Sequence, residues 1–326
     1  WGRHFGGKMI KVQSTPHAEV MQSLADRHQL LLQLINDKPF HYLDIPVHGN
    51  IGDLLIMHGT QAFFRRHRLK PKLSAPAFAF NASWIAPDDV IVFHGGGNFG
   101  DLYSEYGMQP MRENIVSEYP DHRIIVLPQT IHFSSPEALE TSAALFRQHG
   151  DVHLCVRDVA SYELAKAFTD HVYLMPDMAH QLYPINHEIM ADMNSRLLIS
   201  RVDGEKKQAL DPASFGAAAM TDWPELVGHR ENTIDFYRRM MRYVYRAGAG
   251  FMGNQILSDH WSRYARKLTQ QAVDLFARHE LIVTDRLHGH ILACLMDKPS
   301  IVLDNSYGKN AGYVDTWTRE SDLVSL

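Results

Sequence analysis

Two hydrophobic periods alternate along the chain. Residues 17–36 carry Val20, Leu24, Leu31 and Ile35 at the spacing of one helical face. A unit then repeats: a short β-branched run, a polar or glycine loop, and an amphipathic stretch. The pattern predicts strands over 41–47, 89–93, 123–127, 153–156 and 172–175. The loops that follow them are Gly49-Asn50-Ile51-Gly52-Asp53, residues 95–100, Pro128-Gln129-Thr130, Arg157-Asp158 and Pro176-Asp177. Helices are predicted from the first glycine loop to about Arg66, from Ser135-Pro136 onward with Ser as cap and Pro in the first turn, and through Leu164. The second half repeats the scheme, with strands over 197–200, 281–284 and 300–303 and helices over 233–247, 259–278 and 287–296.

Strands alternating with helices of this length predict βα units and parallel sheets, an α/β fold. A chain of 326 residues suits two lobes of about 150 residues each better than one core. The periodicity lapses around Pro184, which predicts Rossmann-like lobes at 1–188 and 189–326. Residues 202–231 are the least regular, either a mobile loop over a site or an exposed excursion.

Composition narrows the classes. Hydrophobic residues make up 45% and charged residues 21%, with a net charge of -5. No global basic surface favours nucleic acid or anionic lipid, so any phosphate binding has to come from local arginines. Cys155 and Cys294 lie in apolar runs and read as buried free thiols, which points to a reducing, cytoplasmic setting. No stretch approaches the roughly 18 apolar residues of a membrane span. The opening residues 1–8 lack an initiator Met and an apolar signal region and read as a truncation edge outside the fold.

In open parallel sheets, ligands bind beyond the carboxyl ends of the strands. Asn50, Asp53, Asn98, Asp101, Gln129, Arg157, Asp177, Arg201, Arg286, His288 and Asn305 fall there. Loops are polar in any case, but arginines directly at strand ends are not needed for folding. The run His94-Gly95-Gly96-Gly97-Asn98-Phe99-Gly100-Asp101 contains a dinucleotide-type glycine pattern. It is not in the first βα unit, and no ribose-binding acid ends the next strand, so a nicotinamide site is disfavoured. Its glycines imply close backbone approach and free N–H groups suited to an anion or a sugar, or a tight turn without ligand. Asp53 either caps the following helix or holds a substrate hydroxyl as its base.

Thr284-Asp285-Arg286-Leu287-His288-Gly289-His290 carries the strongest signal. Asp285 is placed to cap the helix. Arg286 offers a bidentate fork to phosphate or carboxylate, and His288 can donate to the same anion or move a proton. His288 and His290, two apart on a helix, do not face one ion, so no metal is expected and His290 reads as structural. Lys309 is either a second cation for the anion or a solvated loop lysine.

At these segments the chain resembles the polysaccharide pyruvyl transferase family. The matching stretches are Gly49 to Asp53, His94 to Asp101, Pro128 to His132, Arg157-Asp158 with Ser161, Pro176 to Ala179, Thr284 to Gly289, and Lys309 with Gly312-Tyr313. They run in order over most of the chain, closest to members that decorate bacterial exopolysaccharides. The resemblance implies a two-lobed arrangement similar to GT-B glycosyltransferases, with acceptor side 1–188 and donor side 189–326. It implies phosphoenolpyruvate as donor, no cofactor, and a pyruvate ketal bridging two hydroxyls of a saccharide acceptor, free or lipid-linked. Arg157, Arg286 and His288 would surround the donor and Asp53 the acceptor; the strand-end and loop positions Arg201, Lys309, Asn50, Asn98, Asp101 and Gln129 are further binding candidates read from the sequence itself. Membrane contact would be peripheral at most. Two competing readings are a GT-B glycosyltransferase using a nucleotide-sugar and a non-catalytic saccharide-binding protein stacking sugars on Trp84, Tyr103, Trp223, Trp261 or Trp317.

Overall fold

The computed structural model describes residues 16–103, 107–201, 210–248, 250–304 and 309–326, without the side chain of Lys309. Asn305 lies outside the described residues.

Helices α1 (His17–Asp26) and α2 (Leu30–Ile35) lead into strand β1 (Phe40–Leu43). There follow α3 (Ile51–Arg66), β2 (Leu73–Ala75), β3 (Val90–Phe93), β4 (Gly96–Gly100), α4 (Met108–Glu118), β5 (Ile124–His132), α5 (Pro136–Arg147), β6 (Val152–Val156), α6 (Val159–Ala165) and β7 (His171–Leu174). These strands form one parallel sheet in the order β2-β1-β3-β5-β6-β7, with β4 beside the second half of β5. The sheet is covered on both faces, so β3 and β6 are buried at every position; β3 reads as an unbroken apolar run, and β6 is broken only by buried His153.

The remainder contributes β8 (Asp192–Ile199), β9 (Ala219–Thr221), α7 (Trp223–Val227), α8 (Glu231–Arg246), α9 (Gly250–Ala277), β10 (His279–Thr284), α10 (Leu287–Leu295), β11 (Ser300–Val302), α11 (Lys309–Tyr313) and β12 (Val324–Ser325). Its strands make a second parallel sheet, β12-β11-β10-β8-β9. Numbered within its own half, the first sheet runs 2-1-3-4-5-6 once β4 is left out and the second runs 2-1-3-4-5; both share the doubly wound 2-1-3 start, and neither follows the 3-2-1-4-5-6 order of dinucleotide-binding Rossmann sheets. The order reverses between β1 and β3 in the first sheet and between β8 and β10 in the second. Loops leaving the carboxyl ends at those two points diverge and leave a crevice.

Two local expectations change. Residues 128–130 are not a loop but the middle of β5, and residues 96–100 form β4 alongside it. Pro128 cannot donate to a ladder, and the register with β6 slips between Val126 and Gln129. Past that slip β5 acquires β4 as a partner. Helix α9 also begins about nine residues before its expected start, because Gly250–Ser258 continues the same winding.

The second half grips the first. Trp261 Nε1 donates to the Pro46 carbonyl at 2.7 Å, and Arg238 Nε donates to the Val47 carbonyl at 2.7 Å. The loop after β1 is therefore held open by α8 and α9. Among the described residues no helix is long and apolar enough to cross a membrane. Cys155 and Cys294 are buried free thiols.

Candidate active site

A cavity of about 950 Å3 lies where the two crevices meet. The first sheet contributes Asp44, His48, Asn50 and Asp53 after β1, His94 after β3, Gly97 and Asn98 in β4, and Arg157 after β6. The second contributes Arg201 after β8 and Arg286 and His288 after β10.

Asp177, fully buried after β7, joins the two sides. Its Oδ2 accepts from Arg157 Nη1 at 2.6 Å and from His288 Nε2 at 3.2 Å, and its Oδ1 accepts from the Ala179 N–H at 2.9 Å. Burial would raise its carboxyl, but His288, Arg157 and that N–H hold it well below the usual carboxylate range. An ionised carboxylate only accepts, so Nε2 of His288 carries the proton of that bond. Arg157 is further fixed by Nε donating to Thr130 Oγ1 at 3.0 Å. The His288 ring lies against Gly52 in the first turn of α3. A Cβ on Gly52 would come within 2.6 Å of His288 Nδ1, so only glycine leaves the ring its place.

Arg286 does not offer an open fork. Nε and Nη2 are seated on the two oxygens of buried Asp222, the latter bond at 2.6 Å. Asp222 lies between β9 and α7, in the stretch whose sequence shows no period. Asp285 does not cap α10; its Oδ1 accepts from the Arg201 N–H at 2.9 Å and so ties the end of β8 to the end of β10. Asp53 is not the cap of α3 either. Asn50 is, accepting from the Gly52 N–H at 3.0 Å. The Asp53 carboxylate stays half-exposed on the cavity wall, 3.6 Å from His48 Nε2.

Asp44 and Arg112 have no counterpart in the sequence reading. Asp44 turns out of β1 with φ +65°, and its Oδ2 accepts from buried Arg112 Nη2 at 2.5 Å. Burial pushes the Asp44 carboxyl up to about 6 against the pull of Arg112, with Asp53 adding to the rise. A carboxyl titrating there can hold or pass a proton near neutral pH. Nothing in a lone Asp after a strand distinguishes it from a turn residue, and Arg112 sits inside a helix with no motif around it.

Residues 50–307 match the polysaccharide pyruvyl transferase family. The chain belongs to that family. It is 39% identical over 303 residues to EpsO of Bacillus subtilis strain 168, provisionally assigned as a pyruvyl transferase, covering 91% of each protein. It is 32% identical over 247 residues to Pyruvyl transferase 1 of Schizosaccharomyces pombe, covering 70% of this chain and 54% of that one. A functionally uncharacterized protein of Klebsiella pneumoniae shares the fold, with a TM-score of 0.56 at 21% identity over 91% of this chain and 96% of the other.

This pyruvyl transferase thus brings Asn50, Asp53, Asn98, Arg157, Arg201, Arg286 and His288 to one cavity. Gln129 and Asp101 are not on its wall. Gln129 is fully buried, donating to the His94 carbonyl and to Asn98 Oδ1, each at 2.8 Å, and accepting from the Asn98 N–H at 3.2 Å. Asp101 accepts from the Ser134 N–H at 2.8 Å and from its hydroxyl. Two N–H groups of the glycine run are therefore not open to a ligand, since the Gly100 N–H is taken by Gln109 Oε1. Both glutamines and Asp101 shape the wall from behind. His290 is buried against Ser300 and Thr318 hydroxyls, and burial pushes it down to about 3, as a structural histidine. Of the aromatics, Trp223 and Trp261 are core; Tyr103 and the edge of Trp223 reach the cavity. The Lys309 side chain lies outside the described residues.

Proposed function

We propose that the enzyme transfers pyruvate from phosphoenolpyruvate to two hydroxyls of a saccharide, forming a cyclic ketal and releasing phosphate. The observation that carries the reading is the Arg157–Asp177–His288 cluster facing Arg201 and Arg286 across one cavity. Phosphoenolpyruvate brings close to three negative charges in a small ligand, and several fixed cations are needed to take it out of water. Arg157, Arg201 and Arg286 line the cavity for that role, with Arg157 and Arg286 held in place by Asp177 and Asp222, whose charges offset theirs. Arg157 comes from the first sheet, so the donor lies between a first lobe at 1–188 and a second at 189–326, in a GT-B-like arrangement, rather than on the second alone.

The reaction needs a proton at the methylene carbon, attack at the central carbon, and departure of phosphate with C–O cleavage. His288, oriented by Asp177, is the proton donor or the group that assists phosphate. Asp53, with His48 beside it, takes the proton of the attacking hydroxyl. The first addition gives a tetrahedral carbon bearing methyl, carboxylate, sugar oxygen and phosphate. Loss of phosphate and attack by the second hydroxyl close the ring. Of the two hydroxyl protons, one is balanced by the new methyl C–H and one leaves with phosphate. The wall cations stabilise the departing charge, the usual largest contribution in such sites.

The test is phosphate release from phosphoenolpyruvate across candidate oligosaccharides. The reading expects release only with an acceptor, together with a new ketal methyl resonance. Release without any saccharide product, or none with any acceptor, contradicts it.

A further inference from the structure

The cavity carries arginines beyond those assigned to the donor. Helix α8 lines it with Arg238, Arg239 and Arg242. Arg238 is committed to the Val47 carbonyl and to Asp235. Arg239 and Arg242 form no ion pair with a carboxylate among the described residues, and Arg242 lies over the Phe78 ring at 4.8 Å. Two guanidinium groups three residues apart on one helix are about 5–6 Å apart at Cβ, the reach of two linked phosphates. A neutral saccharide asks for no such pair, and the donor is assigned to Arg157, Arg201 and Arg286 deeper between the strand ends.

The surroundings are unusual too. Residues 229–267 carry eight Lys and Arg against three Asp and Glu, in a chain of net charge -5. Tyr237 packs on Trp261 and Tyr264, and Trp84 meets both Tyr245 and Phe251, so the end of α8 lies beside the start of α9. At that end Tyr243 is 68% exposed, Met252 75% and Ile256 57%. Large apolar side chains left in water on the helix pair that carries Arg239 and Arg242 are placed to meet a chain that is itself apolar beyond its phosphates.

We propose that Arg239 and Arg242 form a second anion subsite that binds the diphosphate of an activated saccharide acceptor. The assignment to an acceptor rests on the pyruvyl-transfer reading above; the anion subsite does not. The diphosphate can come from a prenyl carrier or from a nucleotide. Tyr243, Met252 and Ile256 favour the prenyl source.

Calorimetric titration decides it. Inorganic pyrophosphate is titrated into enzyme saturated with phosphoenolpyruvate. Binding that R239Q/R242Q weakens by on the order of tenfold or more supports the subsite, because two charge-assisted contacts are lost. Pyrophosphate that only displaces phosphoenolpyruvate, or binds the variant as well as the wild type, overturns it. If phosphoenolpyruvate itself does not bind, the donor reading fails, and the same wild-type and variant titration of free enzyme still decides the subsite. Farnesyl diphosphate and uridine diphosphate distinguish the sources. Tighter binding of the first, lost in Y243S/M252S/I256S, assigns the prenyl carrier; tighter binding of the second assigns the nucleotide. Equal, arginine-independent binding of both again overturns the proposal.

Discussion

At the scale of single residues, the account turns on a buried carboxylate. Asp177 is legible in the sequence only as an acid after a strand; that it holds both Arg157 and His288 is not, because the three are brought together from three separate loops. Replacing His288 with Ala is expected to abolish ketal formation while phosphoenolpyruvate still raises the melting temperature, though less than in wild type. Wild-type turnover in that variant contradicts its role. Asp177→Asn leaves Arg157 buried without its charge partner and is expected to cost on the order of 3 kcal/mol in denaturant unfolding, besides activity. The same carboxylate gives a pH signature. Its folded value is depressed, so its contribution to stability is fully present above the unfolded carboxylate value of about 4. That contribution is lost as pH falls below this value toward the folded one. Wild type is therefore expected to lose stability more steeply than Asp177→Asn between about pH 5 and 2, and parallel acid titrations of the two contradict the ionised assignment.

At the scale of elements, periodicity located most helices and central strands, since amphipathic helices and buried parallel strands impose their own spacing. It did not reveal β2, β4, β9 or β12. These are two to five residues long, too short for a period, and exist through their partners. The same limit hid Asp222, held between two such short elements, and with it the true partner of Arg286. Arg286→Lys cannot keep both bonds to Asp222 and is expected to lower stability on the order of 3 kcal/mol as well as weaken donor binding. Unchanged unfolding and donor affinity would show that the fork is dispensable. The glycine loop was legible as a ligand-side feature, yet the reason for Gly52 is a ring from the other sheet. Gly52→Ala has to shift His288 or α3, and is expected to lower kcat by tenfold or more, since displacements of about 1 Å in a reacting group carry costs of that size or larger. Turnover at the wild-type rate would mean that the ring's position does not matter.

At the scale of the molecule, two sheets of the same winding place their order reversals at one cavity. The expected alternation of strands and helices contained that architecture in outline, and strand-end chemistry picked out seven residues of the wall. The relation of the two halves was beyond it, because Trp261 and Arg238 reach carbonyls some 200 residues earlier, at Pro46 and Val47. The central claim is a proton delivered to the methylene carbon of phosphoenolpyruvate in the addition step, before its C–O bond to phosphate breaks. The most direct measurement is mass spectrometry of the saccharide product formed in D2O. The account predicts one deuterium in the ketal methyl and one phosphate released per acceptor modified; an unlabelled methyl, or phosphate released without product, would contradict it.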